Sequence, residues 1–346
     1  MKIKINNKIT IDKKKPPLII AEISGNHNGK KSRFLKLIES ACKNGADLIK
    51  IQTYEPEDIT LVKKEKYLKI NHGIWKGKYL KDLYKKACTP YNWHKEAFAI
   101  AKKYKKIIFS SPFSLRGVDF LETLKVPIYK IASFEITDLN LINYVASKKK
   151  PIIISTGMAE IKEIKKAINI IKKYHKKIII LHCVSNYPTK LKDTNLKRIN
   201  FLKKTFKGLN IGLSDHTNDI YSSIASIALD VCVIEKHYNI GNVKTPDSLF
   251  SINNKMLREL KVSSENIYES LNKNKKNKIF KKNYIFRRSI FAKTNIEKNE
   301  VISHKNIISL RPLVGIKSEK IFDIIGKKAK NKIIKNKPIF FSDLLS

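Results

Sequence analysis

The chain has 346 residues, 42% of them hydrophobic and 9% aromatic, with 71 Lys+Arg against 30 Asp+Glu for a formal net charge of +41. That apolar content excludes a disordered chain despite the charge, and the length allows one large domain and a small one. The charge raises the question of phosphate-rich partners, but the lysines are spread over nearly every helix-like segment and no nucleic-acid motif accompanies them. A composition-wide bias towards Lys, Ile and Asn explains them, so no nucleic-acid partner is expected, although such a field still draws in anionic substrates.

The N-terminus, MKIKINNKITIDKKKPP, lacks the apolar core of a secretion signal, and no apolar run reaches membrane-span length. Cys42, Cys88, Cys183 and Cys232 form no CxxC pair, which argues against a disulfide framework or zinc knuckle. A cytoplasmic protein without a membrane partner is expected.

From residue 18 onward, β-branched runs alternate with amphipathic, lysine-faced segments. The predicted strands are LIIAEIS (18–24), DLIKIQTY (47–54), KIIFSSPF (106–113), PIYKIAS (127–133), PIIISTG (151–157), KIIILHCVS (177–185), NIGLSDH (210–216) and VCVIEKHY (231–238). The predicted helices are RFLKLIESACKNGA, KEAFAIAKKYKK, LINYVASKKK, IKEIKKAINIIKKYHKK and DIYSSIASIALD. Nearly all-apolar strands alternating with helices imply a parallel sheet covered by helices, and this number of repeats suits an α/β fold of the (β/α)8 TIM-barrel type, with a doubly wound open sheet as the alternative. The segment 55–105, which holds Trp75 and Trp93, is too long for a plain connection and predicts a wall or lid beside the site, or an extra packing helix.

After residue 262 the helical pattern gives way. The domain reading is a barrel over 1–270, a lysine-rich linker over 271–283 and a small β-rich domain over 284–346.

Each strand ends in polar residues, and in a barrel these ends open on one face, where active sites are built. Lys50, Lys130, Ser111, Ser133, Ser155 and Ser214 fall at six strand ends, a set suited to a phosphate or carboxylate. His216 and His237 end consecutive strands, with Glu22 nearby on the first. Neighbouring strands are about 4.8 Å apart, so the two imidazoles can share a divalent ion. Asn26 and His27, in the turn NHNG, are candidates for substrate contact, as is Asp247 in TPDSLFS, while Glu135 and Tyr187 lie just beyond their strands. The chemistry is that of an anionic small molecule beside a metal that polarises a carbonyl or activates water, as in an aldol-type condensation or a phosphoryl-bearing lyase.

The motifs IAEISGNHNG, KIQTY, SSPF, YKIAS, STGM, HCVSNYPT, GLSDHT and IEKHY, in that order, resemble the sialic acid synthase family over nearly the whole chain. The ending RRSIFAKTNIEKNEVIS…LRP looks like that family's antifreeze-protein-like (SAF) domain. SFE, with Phe134 where the sialic and legionaminic branches usually have Gly, and the 55–105 insertion are similar to the pseudaminic branch. The loop TPDS, with Ser248 and Pro246, departs from both branches' usual patterns. The resemblance implies condensation of phosphoenolpyruvate with an open-chain N-acetylated amino sugar, giving a nine-carbon nonulosonic acid and phosphate for bacterial surface glycans. It implies phosphoenolpyruvate on Lys50, Ser111, Lys130, Ser133, Ser155 and Ser214, and a divalent metal (Mn, Mg or Co) on His216 and His237. Glu22 would orient water or stabilise the cationic carbon, with Asn71, Glu135, Tyr187 and Asp247 on the sugar. It further implies a domain-swapped homodimer in which Arg311 reaches the partner's barrel.

Overall fold

The computed structural model describes residues 2–7, 9–271 and 282–345. The chain divides at Leu271 into two compact units. In the first, the strands β1 (Ile3–Lys4) and β2 (Thr10–Ile11) make a small antiparallel hairpin. Eight parallel strands follow: β3 (Leu18–Glu22), β4 (Leu48–Thr53), β5 (Ile107–Pro112), β6 (Tyr129–Ile131), β7 (Ile152–Ser155), β8 (Ile178–Cys183), β9 (Asn210–Asp215) and β10 (Val233–His237). They close in chain order, with β10 pairing both β9 and β3. The expected barrel is present, its strands one or two residues shorter at most ends than the apolar runs suggest.

Successive side chains on a strand point to opposite faces, and the apolar residues divide accordingly. Ile20, Leu48, Phe109, Ile128, Ile153, Leu181 and Val233 pack inside the barrel. Ile19, Ile49, Ile108, Tyr129, Ile154, Ile180 and Ile234 pack outward under the helices. Gly212 on β9 is required by this interior: a Cβ there would lie 2.6 Å from both Leu181 Cδ2 and the Val233 carbonyl oxygen. Ile3, Ile5 and Ile11 join the interior cluster, so the hairpin plugs the end of the barrel where the strands begin. Two-residue strands carry no periodicity, and no element was expected there.

The helices are α1 (Lys31–Lys43), α2 (Leu80–Ala87), α3 (Tyr91–Lys103), α4 (Leu115–Thr123), α5 (Leu139–Ser147), α6 (Ile161–Lys172), α7 (Lys197–Thr205), α8 (Tyr221–Ile227) and α9 (Asn254–Ser270). Of these, α4, α7 and α9 were not expected, while α2 falls in the 55–105 segment, where a wall or an extra packing helix was expected. In α4, Gly117 weakens the helical signal, but its amide binds the Ser114 N-cap hydroxyl at 3.1 Å. α7 buries only Ile199 and Leu202 on an otherwise polar helix. α9, capped by Asn253, continues to Ser270, which corrects the change of pattern placed after residue 262. The excursion between β4 and β5 contains both α2 and a turn closed by pairing of Lys69 with Tyr79. No helix among the described residues is long and apolar enough to cross a membrane.

Three loops that return the chain to the next strand carry an unusual residue. Lys105, Lys125 and Lys149, just past α3, α4 and α5, adopt left-handed φ of 56°, 53° and 57°, a position where helices usually place Gly or Asn.

The second unit contains the antiparallel pair β11 (Ser289–Ala292) and β12 (Ile307–Leu310). Its own core includes Ile290, Ile296, Ile302, Ile316, Ile324, Ile333 and Ile339. Most of the linker expected over 271–283 lies outside the described residues.

Candidate active site

Two residues beyond the interior apolar layer, on the same inward faces, the strands carry Glu22, Lys50, Ser111, Lys130, Ser155, Cys183, Ser214 and Glu235. A tightly buried cluster results. Lys50 Nζ lies 3.1 Å from Glu22 and 3.1 Å from Glu235. Lys130 Nζ is 3.7 Å from Glu235, and Ser214 Oγ donates to Glu235 at 3.1 Å. Gln52 donates to Glu22 at 3.1 Å. Burial disfavours charge on Glu235, but Lys130 and Lys50 outweigh it and hold its pKa down at about 2. Glu22 goes the other way, pushed up to about 7 by burial against the pull of Lys50. Burial lowers Lys130, and Glu235 only partly offsets it.

Ion pairing does not satisfy this cluster. Ser111 Oγ, Ser155 Oγ and Glu235 Oε2 are buried with no hydrogen-bond or ion-pair partner among the described residues, while Glu22 Oε2 has only its ion pair with Lys50. Buried polar atoms are rarely left so. Ser133 and Gly157 complete the same side: the Gly157 amide donates to Ser133 Oγ at 3.1 Å. A Cβ at Gly157 would lie 1.9 Å from Ser185 Oγ and 2.8 Å from Ser133 Oγ, so only glycine lets both hydroxyls approach.

His216 and His237 face one another with ring centroids 5.2 Å apart. His216 Nδ1 lies 2.9 Å from the Val184 carbonyl. A carbonyl only accepts, so Nδ1 carries the proton and Nε2 keeps its lone pair. His237 Nδ1 lies 3.0 Å from Ser24 Oγ, and Ser24 in turn donates to Asp247, which also accepts from the Gly25 amide at 2.9 Å. Burial, followed by the neighbouring His216, drives the His237 pKa far down, so it stays neutral. Burial works against charge on His216, but the neighbouring Cys183 holds its pKa above the ordinary value, so a metal would have to displace that proton. Two imidazoles anchored through Nδ1 and neutral at Nε2 are then the donor set a divalent metal takes. No cluster of three or more His, Cys, Asp or Glu ligands occurs among the described residues, so the pair would leave most coordination positions to substrate and water.

Lys50, Lys130, Ser155, Cys183, Ser214 and Glu235 of the cluster line one cleft of about 480 Å³ together with both histidines, whereas Glu22 and Ser111 are outside its lining. Glu135, Tyr187 and Asp247 line it. Burial raises Glu135 to about 7, and Tyr187 packs on His216 with centroids 4.5 Å apart. The opposite wall is apolar and comes from the excursion: Ile59, Ile70, Trp75, Leu80, Leu83 and Tyr84. Trp75 Nε1 donates to the Pro246 carbonyl at 3.2 Å, tying this wall to the loop after β10.

Some candidates fall elsewhere. Asn71 is exposed and outside the lining, whereas its neighbours Ile70 and His72 face the cleft. Arg311 is exposed on the second unit. Asn26 and His27 are structural: Asn26 binds the Tyr238 carbonyl and Ser251 Oγ, each at 2.9 Å. His27 accepts from the Gly29 amide at 3.0 Å and packs between Phe34 and Trp93. Glu235, Cys183, Gln52 and Ser24 were not among the candidates. The first two were findable, because each lies two places after an interior apolar residue.

A helix-wrapped parallel barrel with lysines and serines on its floor and a histidine pair at its open end is the arrangement of a (β/α)8-barrel enzyme. Residues 37–276 match the NeuB family and residues 287–345 the SAF domain. The chain belongs to the NeuB family. It is 43% identical to pseudaminic acid synthase of Helicobacter pylori over 239 residues, 68% of this chain and 70% of that one. It is 38% identical to N,N'-diacetyllegionaminic acid synthase of Campylobacter jejuni over 71% of this chain and 75% of that one. The fold is similar to the crystal structure of N-acetylneuraminic acid synthetase from Leptospira borgpetersenii, solved with citrate. The TM-score is 0.72 and the identity 30%, covering 80% of this chain and 91% of that one.

Proposed function

We propose that this chain condenses phosphoenolpyruvate with a 2,4-diacetamido-2,4,6-trideoxy hexose of the altrose type and water, giving pseudaminic acid and phosphate. The observation that carries the reading is the set of orphaned polar atoms around Lys50 and Lys130, beside two imidazoles with free Nε2 atoms. An anion with phosphate and carboxylate groups supplies acceptors for Ser111, Ser155 and both lysines, and Ser133 and Ser214 border the same space.

A divalent ion (Mn, Mg or Co) held by His216 and His237 would supply Lewis-acid polarisation of the sugar aldehyde. The floor holds phosphoenolpyruvate so that its C3 attacks the aldehyde carbon, forming the new C–C bond as the C2–C3 double bond is consumed. The aldehyde C=O π pair moves to its oxygen, which takes up the proton that the adding water later releases. The charge left at C2 lies beside Glu22 and Glu235. Water adds at C2 and gives its proton to a base, and collapse of the tetrahedral carbon breaks the C2–O bond and expels phosphate. Glu22, poised near 7, is the group suited to accept that proton.

The apolar wall supports the sugar assignment. Acetamido methyls and the C6 methyl of a trideoxy sugar can bury against Trp75, Ile70 and Leu83, whereas the C6 hydroxyl of N-acetylmannosamine would lose its water there. Glu135, Tyr187 and Asp247 remain for the polar groups. The functional unit in this reading is a cytoplasmic homodimer, with the SAF domain and Arg311 of a second copy covering the mouth. Exposed Phe134, Met158, Tyr221 and Leu249, in or beside the loops at that end of the barrel, support such a cover.

The test is phosphate release from phosphoenolpyruvate with a panel of acceptors. Release requiring both metal and the altrose-type sugar is expected. Preference for the legionaminic precursor or N-acetylmannosamine would reassign the branch.

A further inference from the structure

We infer that Ser24 is a positioning residue that fixes the tautomer and orientation of His237; this rests on the reading of His237 as a metal ligand. Ser24 is 2% exposed and holds a φ of 40°, in the left-handed region that a non-glycine residue occupies under strain. Gly25 follows it directly, so the turn has a glycine available one place away from where the left-handed conformation falls.

What the strained serine provides is its hydroxyl. Ser24 Oγ sits between His237 Nδ1 at 3.0 Å and the Asp247 carboxylate. A hydroxyl has one proton. Asp247 takes it, together with the Gly25 amide proton, so the only role left for Ser24 Oγ towards His237 is acceptor. His237 must therefore carry its proton on Nδ1 and keep the Nε2 lone pair. Asp247, Ser24 and His237 form a buried chain that does for one imidazole what the Val184 carbonyl does for His216. Partners of this kind hold a ligating histidine in orientation, and their loss typically weakens metal affinity by 10–100-fold. The chain also uses the Asp247 oxygen bound to Ser24 and Gly25 for positioning, leaving only the other for a substrate.

Ser24→Gly separates the two effects, because it relieves the backbone strain while deleting the hydroxyl. The experiment measures Mn2+ affinity by electron paramagnetic resonance of free Mn2+, alongside thermal unfolding of the metal-free protein and 15N NMR of histidine-labelled samples. The expected result is an unfolding midpoint at or above wild type, Mn2+ binding weakened about tenfold, and an Nδ1–H signature for His237 in wild type that is lost in the variant. Ser24→Ala, which keeps the strain, should weaken Mn2+ to the same degree with a lower midpoint. Unchanged Mn2+ affinity in Ser24→Gly, or an Nε2–H tautomer of His237 in wild type, overturns the inference while leaving the metal reading standing. Wild-type protein that binds no divalent ion overturns both.

Discussion

Asp215 stands one place before His216 and Glu235 two places before His237, on neighbouring strands; each is buried beside lysine, yet their surroundings are opposite. Asp215 points outward from the barrel. It pairs with Lys236 at 3.2 Å and accepts from Ser222 Oγ and Ser223 Oγ at 2.6 Å each and from the Thr217 amide at 2.9 Å. Lys236 in turn donates to the Thr217 carbonyl at 2.7 Å. Glu235 points inward, shares Lys50 with Glu22, and leaves one oxygen without a partner among the described residues. Both groups bury charge, but only the outward one is closed. Full hydrogen-bond accounting marks a structural ion pair, and an open account around buried charge marks a place for a ligand.

The comparison is broken most sharply by one substitution on each side. His237→Ala should lower phosphate release by about a thousandfold, the loss of several kcal/mol of carbonyl polarisation, with the unfolding midpoint little changed. Asp215→Asn should leave Lys236 buried without a counter-charge and cost about 3–5 kcal/mol in denaturant unfolding, while the protein that remains folded keeps its turnover. Activity lost in both, or stability lost in both, would erase the distinction.

The second prediction uses pH. Burial lifts Glu22 from an ordinary 4.5 to about 7, so the folded state holds this proton more tightly than the unfolded one. Its contribution to folding is fully present below about pH 4.5 and is lost as pH rises through 7, about 3 kcal/mol in all. Glu235, held at about 2, contributes with the opposite sign, present above its ordinary value and lost as pH falls towards 2. In metal-free protein, Glu22→Gln should therefore flatten the decline in stability between pH 5 and 8. An unchanged slope would show that Glu22 is not the titrating group.

A finer contrast comes from serines. Ser222→Ala or Ser223→Ala removes a bond to the Asp215 carboxylate and should cost about 1.5–3 kcal/mol without changing the KM for phosphoenolpyruvate. Ser111→Ala or Ser155→Ala removes a hydroxyl with no hydrogen-bond partner among the described residues. Stability should hold or rise slightly, while that KM increases about tenfold.

The barrel was legible because parallel strands read as unbroken apolar runs, and their polar ends stood out as the face that carries chemistry. The parity rule, applied from Val233 to Glu235 or from Leu181 to Cys183, would have placed two more inward residues. Other features had no local signal. Ser24 matters through Asp247, more than two hundred positions away, and its strain is a property of backbone angles. Asn71 carries a suitable side chain, but its turn directs it to solvent while its neighbours face the cleft. The helix α4 was hidden by Gly117, and α7 by its two-residue apolar stripe.

At the far end of the barrel, Lys105, Lys125 and Lys149 each hold a left-handed turn that glycine adopts without penalty. They are latent thermostability. Replacing any one by glycine should raise stability by about 0.5–1 kcal/mol, read as a small upward shift of the unfolding midpoint. Each loop lies where the strands begin, opposite the cleft, so the three changes combined offer a hardened scaffold on which destabilising active-site variants can still be purified and assayed.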